Sequence, residues 1–208
     1  MEDVIEVYHR SYDPRVPMVC MDEQPVQLIR ETCLPIPAAP GRPARHDYEY
    51  ERAGTANIFM FTEPLRGWRH SIVCGRKTAI DWAQHMKWLL EDVYAEAERV
   101  ILVCDNLNTH SIGSFYEAYS PSVARRLVER LEIHFTPKHG SWLNMAETEL
   151  SVMTRQCLSR RIGDIEQLRH QVDAWRTDRN KRQKGVDWQF TTDDARTRLR
   201  RLYPQIQT

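Results

Sequence analysis

An α/β fold built on a mixed sheet, with helices on its faces and a helical C-terminal region, is what this chain predicts. Three observations carry that reading. Val100-Ile101-Leu102-Val103-Cys104 is an unbroken run suited to a buried strand, and it runs straight into Asp105, Asn106 and further small polar residues. Such a run suits a central strand covered on both faces. Val16-Pro17-Met18-Val19-Cys20-Met21 is a second apolar run, and it also ends in acid, at Asp22 and Glu23. Between and after these runs the apolar spacing turns helical, the alternation expected when helices cover a sheet.

Taken in order, residues 1–15 read as a short leader or linker remnant, with Asp13-Pro14 marking a turn, and 16–208 as the folded domain. Residues 16–22 form the first strand. The proline-rich stretch Leu34–Pro43 cannot join a sheet interior and reads as a loop. Strands follow at Ala56–Thr62 and Gly67–Cys74, with Glu63-Pro64-Leu65-Arg66 as the hairpin turn. Thr78–Ala97 places Ile80, Ala83, Met86, Leu89, Leu90 and Val93 on one helical face. Val100–Cys104 is the fourth strand. Helical stretches at Ile112–Tyr119 and Pro121–Leu131 lead to a short fifth strand, Glu132–Phe135, and three helices then span 141–160, 164–179 and 191–202. The first three strands can pair antiparallel, and the last two can add in parallel after helical crossovers.

Composition narrows the function classes. At 208 residues, 41% hydrophobic and 28% charged, the chain matches a globular protein with a substantial core. No run approaches the roughly 18 apolar residues that span a bilayer. The acidic start, Met1-Glu2-Asp3, shows no secretory signal, so a cytoplasmic location is expected. Five scattered cysteines without a Cys-x-x-Cys pair argue against structural zinc or a disulfide framework. No phosphate-binding Gly-x-x-x-x-Gly-Lys-Ser/Thr run is present, so ATP use has no support. Net charge is zero but uneven: residues 1–120 hold 12 Lys/Arg against 18 Asp/Glu, and residues 121–208 hold 17 against 11. Arg155, Arg160, Arg161, Arg176, Arg179, Lys181, Arg182, Lys184, Arg196, Arg198, Arg200 and Arg201 make up much of the basic excess. An acidic pocket beside a basic flank suits cleavage of a polyanion; a solvated face laced with ion pairs is the plainer account.

The acids are the candidate site. Asp22 and Asp105 both end apolar strands, and Glu147 lies near the start of the helix after the fifth strand. Carboxylates from three separate elements can bridge two hard cations about 4 Å apart. Glu23 competes with Asp22, but side chains alternate across a strand, so only one is expected to face the site. Glu149 competes with Glu147, and on a helix the two lie about 200° apart. Acids placed this way on a mixed sheet point to the ribonuclease H-like arrangement.

These residues resemble the mariner-like group of bacterial insertion-sequence transposases of the DDE superfamily. The matching stretches are Cys20-Met21-Asp22-Glu23, Val103-Cys104-Asp105-Asn106 with Thr109-His110, and His134 through Glu147, which includes Lys138-His139-Gly140-Ser141-Trp142-Leu143-Asn144. Gly41-Arg42-Pro43 and Tyr48 with Gly54-Thr55-Ala56-Asn57 also look like that group, and the likeness runs from about Val16 to Pro204. The resemblance implies that Asp22, Asp105 and Glu147 are the catalytic, metal-holding triad. It also implies Mg²⁺ or Mn²⁺, two ions in number, and cut-and-paste transposition into a TA dinucleotide. DNA is the implied partner, with a homodimer or a separately encoded DNA-binding half.

Two departures stand out. Only about fifteen residues precede the first acidic motif, too few for a helix-turn-helix module. A catalytic-domain fragment, one product of a split reading frame or a decayed copy is therefore expected. Glu147 follows Asp105 by 42 positions, longer than in mariner elements, and the extra residues are expected within Ser114–Leu131, away from the metal. A non-catalytic remnant that inhibits an intact transposase, or a stand-alone nuclease of the same fold, are the alternatives. Among candidate substrate contacts, His110 either orients substrate or a metal-bound water, or caps the following helix. Lys138 and His139 precede the helix of Glu147, where phosphate contact or a solvated loop both fit. Trp142 either stacks on DNA or packs in the core. Asn106 neighbours the second acid, and Asn144 shares the face of Glu147. His9, His46, His70, His85 and His170 show no ligand spacing, and the other tryptophans read as packing residues.

Overall fold

A computed structural model describes residues 1–33, 36–45, 47–138, 140–182 and 184–203. His46 and His139, the Leu34-Pro35 start of the proline-rich stretch, and Pro204 lie outside the described residues. Five strands, β1 (Met18–Glu31), β2 (Tyr50–Glu63), β3 (Trp68–Cys74), β4 (Val100–Cys104) and β5 (Leu131–Phe135), form one sheet in the order β3-β2-β1-β4-β5. The pairs β1/β2 and β2/β3 are antiparallel, and β1/β4 and β4/β5 are parallel. This is the mixed sheet expected from the order of elements. Among the described residues it is flanked by α1 (Glu2–Tyr8), α2 (Ala79–Trp88), α3 (Ile112–Ala118), α4 (Pro121–Glu129), α5 (Met145–Met153), α6 (Ile165–Arg182) and α7 (Thr192–Arg198).

Alternation along the strands divides the core in two. Met18 and Cys20 of β1 and Ile101 and Val103 of β4 pack with α1, α5, α6 and α7. Val19 and Met21, with Val100, Leu102 and Cys104, pack with α2, α3 and α4. A strand such as β4, buried at every residue, needs apolar side chains on both faces, which accounts for its unbroken run.

Several boundaries differ from the sequence reading, each for a physical reason. Strands β1 and β2 run well past residues 22 and 56, as a ribbon with much of its surface exposed. Past Cys20, β1 has no pairing with β4, so Pro25 sits where the missing N–H can be accommodated. Polarity there reports exposure, not the end of the strand. The helix expected over 78–97 starts with a Thr78–Asp81 capping box, and its regular part stops at Trp88; a π-helical turn, Leu89–Val93, ends the element. The element expected over 141–160 is three pieces: a 3₁₀ turn (Ser141–Leu143), α5, and a π-helical turn (Thr154–Leu158). The largest difference is at the start. Residues 1–15 contain α1, with Val4, Ile5, Val7 and Tyr8 all buried. Each such apolar side chain contributes about 1.5–3 kcal/mol, so α1 is part of the core and not an appendage. The segment is too short to show much periodicity, which is why it read as a leader.

Candidate active site

The register of β1 on β4 decides where the first two acids stand. Met18 pairs with Ile101 and Cys20 with Val103, so two residues further on Asp22 and Asp105 reach the same level of the sheet. Their parity is that of Cys20 and Val103, which turns both toward the layer containing α5. Helix α5 brings Glu147 in its first turn. Its start is pinned to β1 by Asn144, whose Nδ2 donates to the Met21 carbonyl at 2.8 Å and whose Oδ1 accepts from the Ala146 N–H at 3.1 Å. The preceding turn is tied down as well, because the Tyr8 hydroxyl donates to the Leu143 carbonyl. Asp22, Asp105 and Glu147 thus line one cavity of about 400 Å³, together with Glu23, Thr136 and Asn144.

The electrostatics of this cavity are unbalanced. Burial pushes the Asp22 carboxyl up to about 6; the nearby Asp105 and Glu147 charges add to the rise, against a 2.7 Å hydrogen bond from the Glu23 N–H. Asp105 Oδ1 and Glu147 Oε2 are buried without a hydrogen-bond partner. Buried carboxylate oxygens with lone pairs left over are suited to a hard cation. Among the described residues no three His, Cys, Asp or Glu side chains already stand in ligating geometry, so the side chains would have to draw together around an ion.

The rival acids are accounted for. Glu149 is buried on another face of α5, where Arg69 Nη2 lies 2.9 Å and Arg179 Nη2 3.0 Å from its Oε1. Burial opposes its charge, but Arg179 and Arg69 hold its carboxyl below the usual range. Glu23 shares the parity of Val19 and Met21, which belong to the other layer, yet it lies past the end of the β1/β4 pairing and also lines the cavity. Its Oε1 lies 3.0 Å from His110 Nε2 and its Oε2 3.4 Å from Lys77 Nζ.

The remaining candidates separate. His110 does not cap α3, where Ser111 holds the N-cap position. Its Nδ1 lies 3.2 Å from the Asp105 carbonyl in hydrogen-bonding alignment and 2.7 Å from Asp105 Oδ1, a contact of opposite charges without that alignment. Burial works against a charged ring, but Asp105, Cys104 and Glu23 outweigh it and push His110 up to about 11. With both nitrogens occupied, the ring has no N–H to offer a substrate. Asn144 is likewise occupied by the backbone. Asn106 and Lys138 line a neighbouring groove of about 580 Å³ that shares Asp105, Thr136 and Ser141 with the acidic cavity. Trp142 is 41% exposed and rests edge-on against Phe190, so it is neither a core residue nor a lining of these two spaces. The stretch 114–131 forms most of α3 and all of α4 and contributes nothing to the cavity lining. Sequence reasoning set Glu23 aside and did not find Thr136 or Ser141. The parity of Val19 and Met21 was a signal for the face Glu23 takes, but nothing local announced its partner 87 residues away.

A family model described as DDE superfamily endonuclease matches residues 17–169, a span that contains all three carboxylates. Among solved structures, the chain is similar to the Mos1 mariner paired end complex with Mn, at a TM-score of 0.56 and 15% identity over 85% of this chain and 53% of that one. It is similar to the Mos1 Strand Transfer Complex at 0.56 and 16%, over 85% and 52%. It is also similar to a pre-cleavage Mos1 transpososome at 0.51 and 14%, over 90% and 61%. The chain therefore spans about half the length of the first two solved chains it matches. At these identities the likeness is one of fold, the ribonuclease H-like mixed sheet. No curated protein matches the chain. No helix among the described residues is long and apolar enough to cross a membrane.

Proposed function

This chain belongs to the DDE superfamily endonucleases, and from that premise we propose that it is the catalytic domain of a transposase that cuts DNA strands and joins them to a target. The observation that carries the reading is the convergence of Asp22, Asp105 and Glu147, from three elements, on one cavity where Glu147 Oε2 is buried without a partner and Asp105 Oδ1 has only the His110 imidazole beside it. The catalytic domain takes in α1 together with 16–208. The cytoplasm is its place of action, and DNA its substrate, both as transposon ends and as a TA target. It works as a homodimer or beside a separately encoded DNA-binding half.

Asp22 and Asp105 would hold Mg²⁺ or Mn²⁺ between them, with Glu147 on a second ion. When bound, such ions acidify water and neutralise the leaving oxygen of an in-line phosphoryl displacement. The chain's own residues set the geometry. Asn144 fixes the start of α5 to β1, so Glu147 keeps its distance from Asp22. Asn106 and Lys138 line the adjoining groove, where the phosphate backbone would run past Asp105. Water attacks the strand first, and the freed 3′-hydroxyl attacks the target second.

The test is a labelled duplex incubated with the whole chain and Mn²⁺. Nicking that a chelator stops and Asp105→Asn abolishes is the expected result. Nicking that persists in Asp105→Asn contradicts the reading.

A further inference from the structure

We infer that Glu23 and His110 are positioning residues that brace Asp105 from the opposite face of the sheet. The inference rests on the proposed role of Asp105 and goes beyond it. Asp105 lies one residue past β4, outside the strand ladder, whose last rung there is the Thr136 N–H on the Cys104 carbonyl at 2.9 Å. No regular backbone pairing therefore fixes its carboxylate. The side-chain chain Lys77–Glu23–His110–Asp105 does so instead, with separations of 3.4, 3.0 and 2.7 Å. His110 is fully buried at its side chain and Glu23 is 2% exposed. The imidazole plane is set by Trp82, which stacks on it at 5.6 Å and 28°. Trp82 in turn is locked edge-on against Phe115.

A pair of buried charges is weak evidence of a purely structural role, since apolar residues of similar volume serve stability as well or better. Here the pair ends on Asp105, which lies in neither a strand nor a helix, whereas Asp22 stands on β1 and Glu147 on α5. Hydrogen-bonded partners behind a ligating group commonly govern cation affinity by about 10–100-fold. The parity of β1 makes the arrangement possible: consecutive acids go to opposite faces, one to the cavity and one to the brace.

The experiment is Mn²⁺ titration of the whole chain by electron paramagnetic resonance, with thermal melts recorded on every variant. His110→Ala and Glu23→Ala are each expected to weaken binding about tenfold or more. The double variant should lose no more than the worse single one, because the two act as one unit. Glu23→Gln keeps the size and an acceptor oxygen for His110, so it should fold and bind within about threefold of the native chain. Native-like binding in a folded His110→Ala chain overturns the brace. So does a larger loss in Glu23→Gln, even if the alanine variants do not fold, because Glu23 would then be acting on the ion through its charge. Asp105→Asn separates the two levels: if it binds normally, the assignment of the site fails together with the brace. If it binds poorly while His110→Ala binds normally, the brace alone fails.

Discussion

Glu147 and Glu149 stand two residues apart on α5, about 200° apart around its axis, and the fold surrounds them differently. Glu149 is clasped by Arg69 and Arg179, and Arg69 is itself only 3% exposed and hydrogen-bonded to the Gly67 and Lys184 carbonyls. That cluster ties α5 to β3 and α6. Glu147 faces two further carboxylates and keeps a buried oxygen without a partner. Where an acid is structural, the chain supplies cations of its own. Where three acids meet at the cavity, the chain sets only the His110 imidazole behind Asp105 and leaves the rest of the charge for something else to balance.

The comparison breaks most visibly in activity. Glu147→Gln is expected to lower metal-dependent strand cleavage at least a thousandfold or so, the scale of several kcal/mol of transition-state stabilisation. Glu149→Gln should keep most activity per folded molecule. Cleavage rates of both variants, normalised to the folded fraction, check this, and the reverse ranking would mean that the two glutamates have exchanged roles.

Stability should answer in the opposite order. Glu149→Gln leaves Arg69 buried without a countercharge and should cost about 3–5 kcal/mol in denaturant unfolding. Glu147→Gln removes a charge from a repelling group and should cost little or nothing. Equal losses from the two would erase the distinction.

A smaller effect concerns pH. The carboxyl of Asp22, pushed up to about 6 by burial and then by its acidic neighbours, binds its proton more tightly folded than unfolded. Metal-free stability therefore falls as pH rises from about 4 to about 6. Asp22→Asn removes that dependence, so it should be more stable than the native chain by about 1–3 kcal/mol at pH 7 and nearly equal to it below pH 4. Unfolding curves across that range measure the gap, and a gap that does not change with pH would show that neither burial nor the neighbouring acids raise the Asp22 carboxyl.

The smallest effect lies on the basic flank. Arg161, Arg176, Arg179, Arg182, Arg196 and Arg198 are already in ion pairs with this chain's own acids. At least half of the apparent basic excess is thus committed. Binding to random duplex should be weak, with a salt slope no steeper than roughly −5, at about 0.9 counterion per phosphate contacted. Anisotropy titrations at two salt concentrations, with a terminal-repeat duplex and a random one, measure this. A slope near −10, or a strong preference for the repeat end, would show that those ion pairs open on DNA or that recognition resides in this domain.

What the sequence made legible follows how local each signal is. The Val100–Cys104 run and the acids that end β1 and β4 are read within a few residues, and the parallel register then places Asp22 beside Asp105 without further information. Helical phase let only one of Glu147 and Glu149 face the site, and the resemblance favoured Glu147. The rest depended on contacts between distant segments. The seven residues of α1 are held by Tyr8 reaching Leu143, 135 positions away. His110 gained its surroundings from Glu23, and Glu149 from arginines on β3 and α6. No periodicity announces such partners. The outer halves of β1 and β2 were missed because they are exposed, so their polar residues carried the pattern of a loop.

Mn²⁺ binding, read directly by calorimetry on the native chain, Asp22→Asn, Glu147→Gln and Glu149→Gln, tests the central claim without relying on DNA. Heat of binding is expected in the native chain, weakened at least about tenfold by Asp22→Asn and Glu147→Gln and retained by folded Glu149→Gln. Binding that survives both cavity substitutions, or that is lost only in Glu149→Gln, would contradict that claim.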